Sequence, residues 1–131
     1  MNLLLDTHIW LWTEGAPEKL TSEINRELAS SENQLWLSPV SIWEIAVLLE
    51  KRRITLKQDF RNWADGSVRD LRLQEAAITW EVAHELRYTI LSHRDPADRF
   101  LVATAKVYDL TLVTSDERLL NTPGLRVLAN R

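Results

Sequence analysis

Residues 2–15, NLLLDTHIWLWTEG, decide the fold. Three leucines run into a carboxylate at Asp6. The chain then takes up helical spacing through THIWLWTEG and stops at Gly15. A short apolar run followed at once by a helix opens a β-α unit. The pattern recurs downstream. Residues 35–38, LWLS, read as a second strand, and Ser38-Pro39 opens a helix with Ser38 as N-cap and Pro39 in the first helical position. That helix is expected to run through SIWEIAVLLEKRR to residue 53. Leu20, Ile24 and Leu28 recur at four-residue steps and predict a polar-faced helix over 18–31. Residues 56–70 predict another, anchored by Phe60 and Trp63. A short strand near 73–78 precedes a further helix, and Pro96 starts a strong one. LTLVTSD at 110–116 is a strand ending in a carboxylate, ERLLN a helical turn, TPG a turn and LRVLAN the last strand. The order is β-α-α-β-α-α-β-α-α-β-α-β. It predicts an α/β fold with a parallel sheet covered by helices on both faces.

The bulk numbers narrow the class. The chain has 131 residues, 45% hydrophobic and 27% charged, with signs alternating along it, which predicts one ordered domain over 1–131. No cysteine is present, so disulfides, thiolate zinc sites and cysteine nucleophiles are excluded. The N-terminal apolar run is broken by Asp6, Thr7 and His8 and lacks a basic flank. It is neither a signal peptide nor a membrane span, and a cytoplasmic protein is expected. There is no GxGxxG and no GxxxxGK[ST], so a glycine loop cradling a nucleotide is unsupported. The net charge of −3 argues weakly against a nucleic-acid binder. Four of the negative charges, however, belong to one candidate site, and bound divalent cations would reverse the local field.

That site is Asp6, Glu44, Asp98 and Asp116. Each acid follows a strand or lies near a helix start, and none has an obvious helical salt-bridge partner. Taken singly, Asp6 and Asp116 are helix caps. Asp95-Pro96-Ala97-Asp98 resembles a capping box, with Asp95 as N-cap and Asp98 at the third helical position. Glu44 resists such a reading. Ile42, Trp43, Ile45, Ala46, Val47, Leu48 and Leu49 surround it, and only Ser41 shares its polar stripe. A carboxylate there must be paired, protonated or metal-bound. In an open parallel sheet, ligands bind beyond the carboxyl ends of the strands, where these four positions converge. Clustered hard oxygen ligands select Mg²⁺ or Mn²⁺. Such ions polarise a scissile phosphate and lower the pKa of a water, which suggests phosphodiester hydrolysis. His8 lies near Asp6. His84 reads as solvated, and His93 lies in a polar loop. No pair has zinc spacing. The six tryptophans mostly fall on apolar faces and read as core or subunit-interface packing ahead of base stacking, with Trp12, if exposed, able to serve either.

Four blocks, LLLDTHIWLW, SPVSIWEIAVLLEK, HRDPADRFLVATA and LTLVTSDERL, together resemble the PIN domain, specifically its VapC-type toxins of bacterial toxin–antitoxin pairs. The resemblance spans nearly the whole chain. It implies a three-layer α/β/α sandwich with a central parallel sheet. It also implies a metal-dependent endoribonuclease acting on RNA, a cognate antitoxin that inhibits it, and a homodimer. The family's acidic quartet falls on Asp6, Glu44, Asp98 and Asp116. Asp6, Asp98 and Asp116 are the expected metal ligands, and Glu44 binds a second ion or orients a water. Thr114 matches a hydroxyl often kept beside the metal, and Asp95 belongs to the DPxDR form of the motif. Arg99 is expected either to touch phosphate or to pair within the acidic cluster. Two local departures stand out: Ala97 where an aromatic is frequent, and Arg52 where a glycine is common. Two other readings compete. One is a catalytically silent binding module working only in an antitoxin–operator complex. The other is a phosphatase with an aspartyl nucleophile, disfavoured because position 8 is His and Lys106 is two turns too far along its helix.

Overall fold

Five strands, β1 (Asn2–Leu5), β2 (Gln34–Leu37), β3 (Gln74–Glu75), β4 (Thr111–Thr114) and β5 (Val127–Ala129), form one sheet in the computed structural model, which describes residues 1–131. Their order is β3-β2-β1-β4-β5 and every pairing is parallel. Because side chains alternate along a strand, the leucines of β1 serve both faces. Leu3 and Leu5 pack with Ile9, Trp10, Ile24 and Ile45. Leu4 packs on the other side with Leu101, Val102 and Ala105. The helices divide accordingly. α1 (Thr7–Gly15), α2 (Ser22–Ala29), α3 (Pro39–Glu50) and α4 (Phe60–Asp70) contribute to the first layer. α6 (Pro96–Tyr108) supplies most of the second, with α5 (Trp80–Glu85) against it. This is the three-layer α/β/α sandwich expected from the sequence. No helix is long and apolar enough to cross a membrane.

Trp10 ties the first layer together. It is fully buried, its ring lies 4.8 Å from that of Trp63 on α4, and its Nε1 donates to Ser67 Oγ at 2.8 Å. Ser67 Oγ in turn donates to Glu14 Oε1 at 2.9 Å. The buried indole N–H is thereby satisfied, as its burial requires.

Several boundaries differ from the sequence expectations. The helix expected over 18–31 is a 3-10 turn at Pro17–Lys19 followed by α2, capped by Thr21. α4 begins at Phe60 rather than residue 56, because Asp59 caps it through the Asn62 N–H. The strand near 73–78 shrinks to two residues at the sheet edge. α3 stops at Glu50 instead of running to Arg53. Its end is a Schellman turn: Arg53 N–H donates to Leu48 O at 2.9 Å and Arg52 N–H to Leu49 O at 3.0 Å. Arg52 occupies the left-handed position at φ 55°. A side chain there costs about 1 kcal/mol that glycine avoids. Arg52→Gly is therefore expected to raise stability by roughly 0.5 kcal/mol, after the greater freedom of the unfolded glycine chain is subtracted. A urea unfolding midpoint that falls, at constant slope, would contradict this assignment.

Candidate active site

From β1 the chain winds outward through β2 to β3, and it later returns to the opposite side of β1 for β4 and β5. Such a reversal leaves a crevice at the carboxyl ends of the two central strands. Asp6 follows β1 and Asp116 lies two residues beyond β4. The Asp6 N–H donates to Val113 O at 3.0 Å, which sets Asp6 beside Thr114. Thr114 Oγ1 donates to Asp6 Oδ2 at 2.6 Å and accepts from the Asp116 N–H at 3.0 Å. One hydroxyl thus couples two acids from two strands. Asp6 is also the helix cap expected of it: Oδ1 accepts from the Thr7 N–H at 2.6 Å and caps α1.

α3 and α6 carry the other two acids. Asp95 is the N-cap of α6, accepting from the Asp98 N–H at 3.2 Å, with Pro96 next and Asp98 third. That is the expected capping arrangement, and it leaves the Asp98 carboxylate free to face the crevice. Glu44 sits one turn beyond the fully buried Ser41. Thr7 Oγ1 lies 2.5 Å from Glu44 Oε1 and 2.8 Å from Ser41 Oγ. A threonine hydroxyl has one proton. With Glu44 ionised, Thr7 donates to it and accepts from Ser41. The narrow polar stripe of α3 is therefore met by α1 at Ser41 and at one oxygen of the half-buried Glu44.

The electrostatics mark these groups as a strained cluster. Burial pushes the Asp6 carboxyl up, against hydrogen bonds from Thr114 and the Thr7 backbone. Burial likewise raises Glu44, reinforced by the charges of Asp6, Asp95 and Asp98 against the Thr7 hydrogen bond. Asp98 is pushed up to about 6, chiefly by burial, with Asp95, Asp6 and Asp116 adding repulsion. Asp116 moves the other way: hydrogen bonds from Arg118 hold it below the usual carboxylate range.

Two residues in the site were not identified from sequence. Arg118 grips Asp116 with both arms, Nε to Oδ1 at 3.0 Å and a terminal nitrogen to Oδ2 at 2.8 Å. It also stands 3.9 Å from Asp98 Oδ2. The expectation that none of the four acids has an obvious helical salt-bridge partner did not extend to this pair. The residues lie two apart in a 3-10 turn whose cap is Asp116 itself, a spacing that α-helical pairing rules do not cover. His93 Nε2 lies 2.7 Å from Asp98 Oδ2, while its Nδ1 is buried without a partner. The tautomer with its proton on Nε2 is the one that places a donor on the carboxylate. Arg99 does not enter the cluster. Its guanidinium donates to Leu86 O at 2.6 Å and Thr89 O at 3.3 Å, so it braces the segment before α6. Lys106 lies in the last turn of α6, its stem against Gly124. It is at the far end of the helix from Asp98 and offers nothing to a phosphatase.

A hard divalent cation fits this donor set. Ligand atoms of His93, Asp98 and Asp116 lie within 4.8 Å of one another. Asp6 stands close enough to raise both Asp98 and Glu44, and Asp98 close enough to raise Glu44. A bound cation relieves both the repulsion and the desolvation that raise these groups. It must also compete with Arg118 for Asp116.

Comparison with known proteins accords with this architecture. Residues 3–125 match the PIN domain family. Ribonuclease VapC22 from Mycobacterium tuberculosis (strain ATCC 25618 / H37Rv) is 31% identical over 118 residues, covering 89% of this chain and 88% of that protein. Among solved structures, the fold is similar to a chain of VapBC2 from Rickettsia felis bound to a DNA fragment from their promoter. The TM-score is 0.73 at 17% identity, over 98% of each chain. A chain of DNA-bound VapBC from Salmonella typhimurium gives a TM-score of 0.67 at 17% identity, over 100% of this chain and 99% of that one. The match from β1 through β4, together with the VapC relative, shows that the chain belongs to the PIN domain family, in its VapC branch.

Proposed function

We propose that this chain is a Mg²⁺- or Mn²⁺-dependent endoribonuclease, the toxin of a toxin–antitoxin pair. The observation that carries the proposal is the convergence of Asp6, Glu44, Asp98 and Asp116, three of them held above their ordinary pKa by burial and by one another. The ribonuclease relative and the toxin–antitoxin complexes among the structural neighbours support the substrate class and the partner. Asp6, Asp98 and Asp116 would hold the cation, with Glu44 on a second ion or on the water. A cation bound there supplies Lewis-acid polarisation of the phosphate and activation of a water. The chain's own residues do the rest. Thr114 holds Asp6 and Asp116 at fixed spacing. Thr7 orients Glu44. His93 donates to Asp98 and fixes its rotamer. Arg118, once released from Asp116, is placed to meet phosphate charge. We assign the chain to the cytoplasm, where an antitoxin would silence it by covering the crevice, and to a homodimer.

The test is cleavage of single-stranded RNA by the purified chain. Internal cuts should appear with Mg²⁺ or Mn²⁺ and vanish with EDTA. Undiminished cleavage after thorough chelation would remove the metal from the mechanism. Hydrolysis of a small phosphomonoester, with RNA left intact, would favour the phosphatase instead. In the same preparation, the product of the adjacent upstream reading frame should co-purify as an inactive complex.

A further inference from the structure

Two clefts meet beside the acidic cluster. One, of 330 Å³, runs from Glu44 and Asp95 past Trp43 to Lys51 and Arg53. The other, of 640 Å³, continues between α1 and α4 past Trp12 and Lys19 to Trp63. His8, Leu48 and Arg53 line both, so the two are continuous. Their chemistry changes along the way. The end at Glu44 and Asp95 is anionic. Beyond it stand Lys51, Arg53 and Lys19, with Glu14 the one carboxylate among them, its Oε1 accepting from Ser67. None of the three cations makes an ion pair with any carboxylate of the chain. Trp43, adjacent to Glu44 on α3, is 59% exposed, whereas Trp10 is fully buried. Trp12 is already engaged, with the His8 ring at 5.7 Å and Lys19 Nζ 5.5 Å from its centroid. It holds these two polar groups at the cleft instead of offering a free face.

We propose that this channel is the track for single-stranded RNA on one side of the scissile phosphate, with backbone phosphates on Lys51, Arg53 and Lys19 and a base stacked on Trp43. The proposal rests on the nuclease reading above. A line of unpaired cations beginning where a carboxylate cluster ends is complementary to a polyanion that enters a cation site. Exposed aromatic faces interleaved with basic groups are how sequence-tolerant single-strand sites bind. The Schellman turn after α3 adds weight. It carries Lys51, Arg52 and Arg53 in succession, with an arginine at the left-handed position where glycine is easier. A helix C-terminus favours nearby cations, yet that preference does not require three, nor a strained one.

The experiment uses the full chain carrying Asp98→Asn, to prevent cutting, with Mg²⁺ and a fluorescein-labelled single-stranded RNA followed by anisotropy. Adding Lys51→Ala and Arg53→Ala should weaken binding at least tenfold at low salt. The slope of log affinity against log salt should shrink by about 1.4, two phosphate contacts at roughly 0.7 each. Trp43→Ala should weaken binding by roughly tenfold and leave the slope unchanged. Arg61→Ala with Arg69→Ala, ion-paired cations on α4, should change neither. Unchanged affinity in the Lys51/Arg53 variant, or an equal loss in the α4 control, overturns the track. So does retained RNA binding with loss of the co-purifying protein partner, which would make the channel a protein-docking surface. If the unsubstituted chain cuts RNA and the channel variants cut and bind as it does, the track alone fails. If the unsubstituted chain neither binds nor cuts RNA, the nuclease reading fails with it.

Discussion

Asp98→Asn is expected to lower RNA cleavage by about 10³-fold while making the metal-free protein more stable. The two effects share one cause. Asp98 is 7% exposed, and its carboxyl is raised from 3.8 to about 6 by burial and by the acids around it. Ionising it is therefore harder in the folded chain than in the unfolded one. A gap of this size corresponds to about 3 kcal/mol at neutral pH, and solvent relaxation at the crevice mouth reduces it to roughly 1–2. The sign follows from the raised value. The penalty is absent below pH 3.8, grows between 3.8 and about 6, and is complete above that. In EDTA the melting temperature of the unsubstituted protein should rise as pH falls from 7 towards 4, since Asp6 and Glu44 are raised too. Asp116 works in the opposite sense, because its lowered value stabilises the fold above 3.8 and that contribution is lost in stronger acid. Asp98→Asn should melt higher than the unsubstituted chain at pH 7 in EDTA and show a flatter pH dependence. Saturating Mg²⁺ should reverse the order, since binding at 100 times Kd adds about 2.7 kcal/mol to a chain that still binds. Asp95→Ala provides the contrast three residues away. It loses the cap of α6, about 1 kcal/mol, and keeps much of the activity. A dead but folded Asp95→Ala beside an active Asp98→Asn would exchange their roles.

Much of this site was legible before the fold was known, for identifiable reasons. Asp6 and Asp116 end apolar runs, so strand identity alone puts them on one sheet edge. Glu44 stood out because its neighbours are apolar, and that oddity proved to be contact with Thr7 across two helices. Asp95 and Asp98 followed from capping chemistry. The missed groups depend on contacts with no sequence period. His93 reaches Asp98 back across the N-cap, and Arg118 reaches Asp116 through a 3-10 turn. Only α3 failed for want of its usual stop: Arg52, not glycine, takes the left-handed position after it, and α3 read as longer than it is. α4 failed at its other end, where the Asp59 cap was missed. Tryptophan placement divided the same way. Trp10 falls on a buried face as its pattern demands, whereas Trp43 and Trp80 lie largely in solvent, and nothing in the local spacing separates the two cases.

Asp6 should reveal two separable duties, one structural and one chemical, when replaced by Asn and by Ala. Its oxygens accept from the Thr7 N–H and from Thr114 Oγ1, both buried. Asn keeps the shape. Its carbonyl can still cap α1, and its amide can donate to the Thr114 oxygen, so that only the Thr114 hydroxyl proton loses its acceptor. What it loses is the charge, and burial makes that charge unfavourable in the empty site. Asp6→Asn should therefore fold with stability equal to or above that of the unsubstituted chain in EDTA. Ala removes both acceptors. A lost cap costs about 1 kcal/mol, and leaving a buried hydroxyl and N–H unpaired adds roughly 1–3. Asp6→Ala should thus melt well below the Asn variant. Both should cleave RNA at least 10²-fold more slowly, because neither offers an anionic oxygen to the cation. The measurements are denaturant unfolding in EDTA, calorimetric Mn²⁺ binding and a cleavage assay. Equal stability of the two variants would mean that Asp6 does not hold α1 to β4. Mn²⁺ affinity unchanged by Asp6→Asn would remove Asp6 from the ligand set and leave its role at the crevice structural.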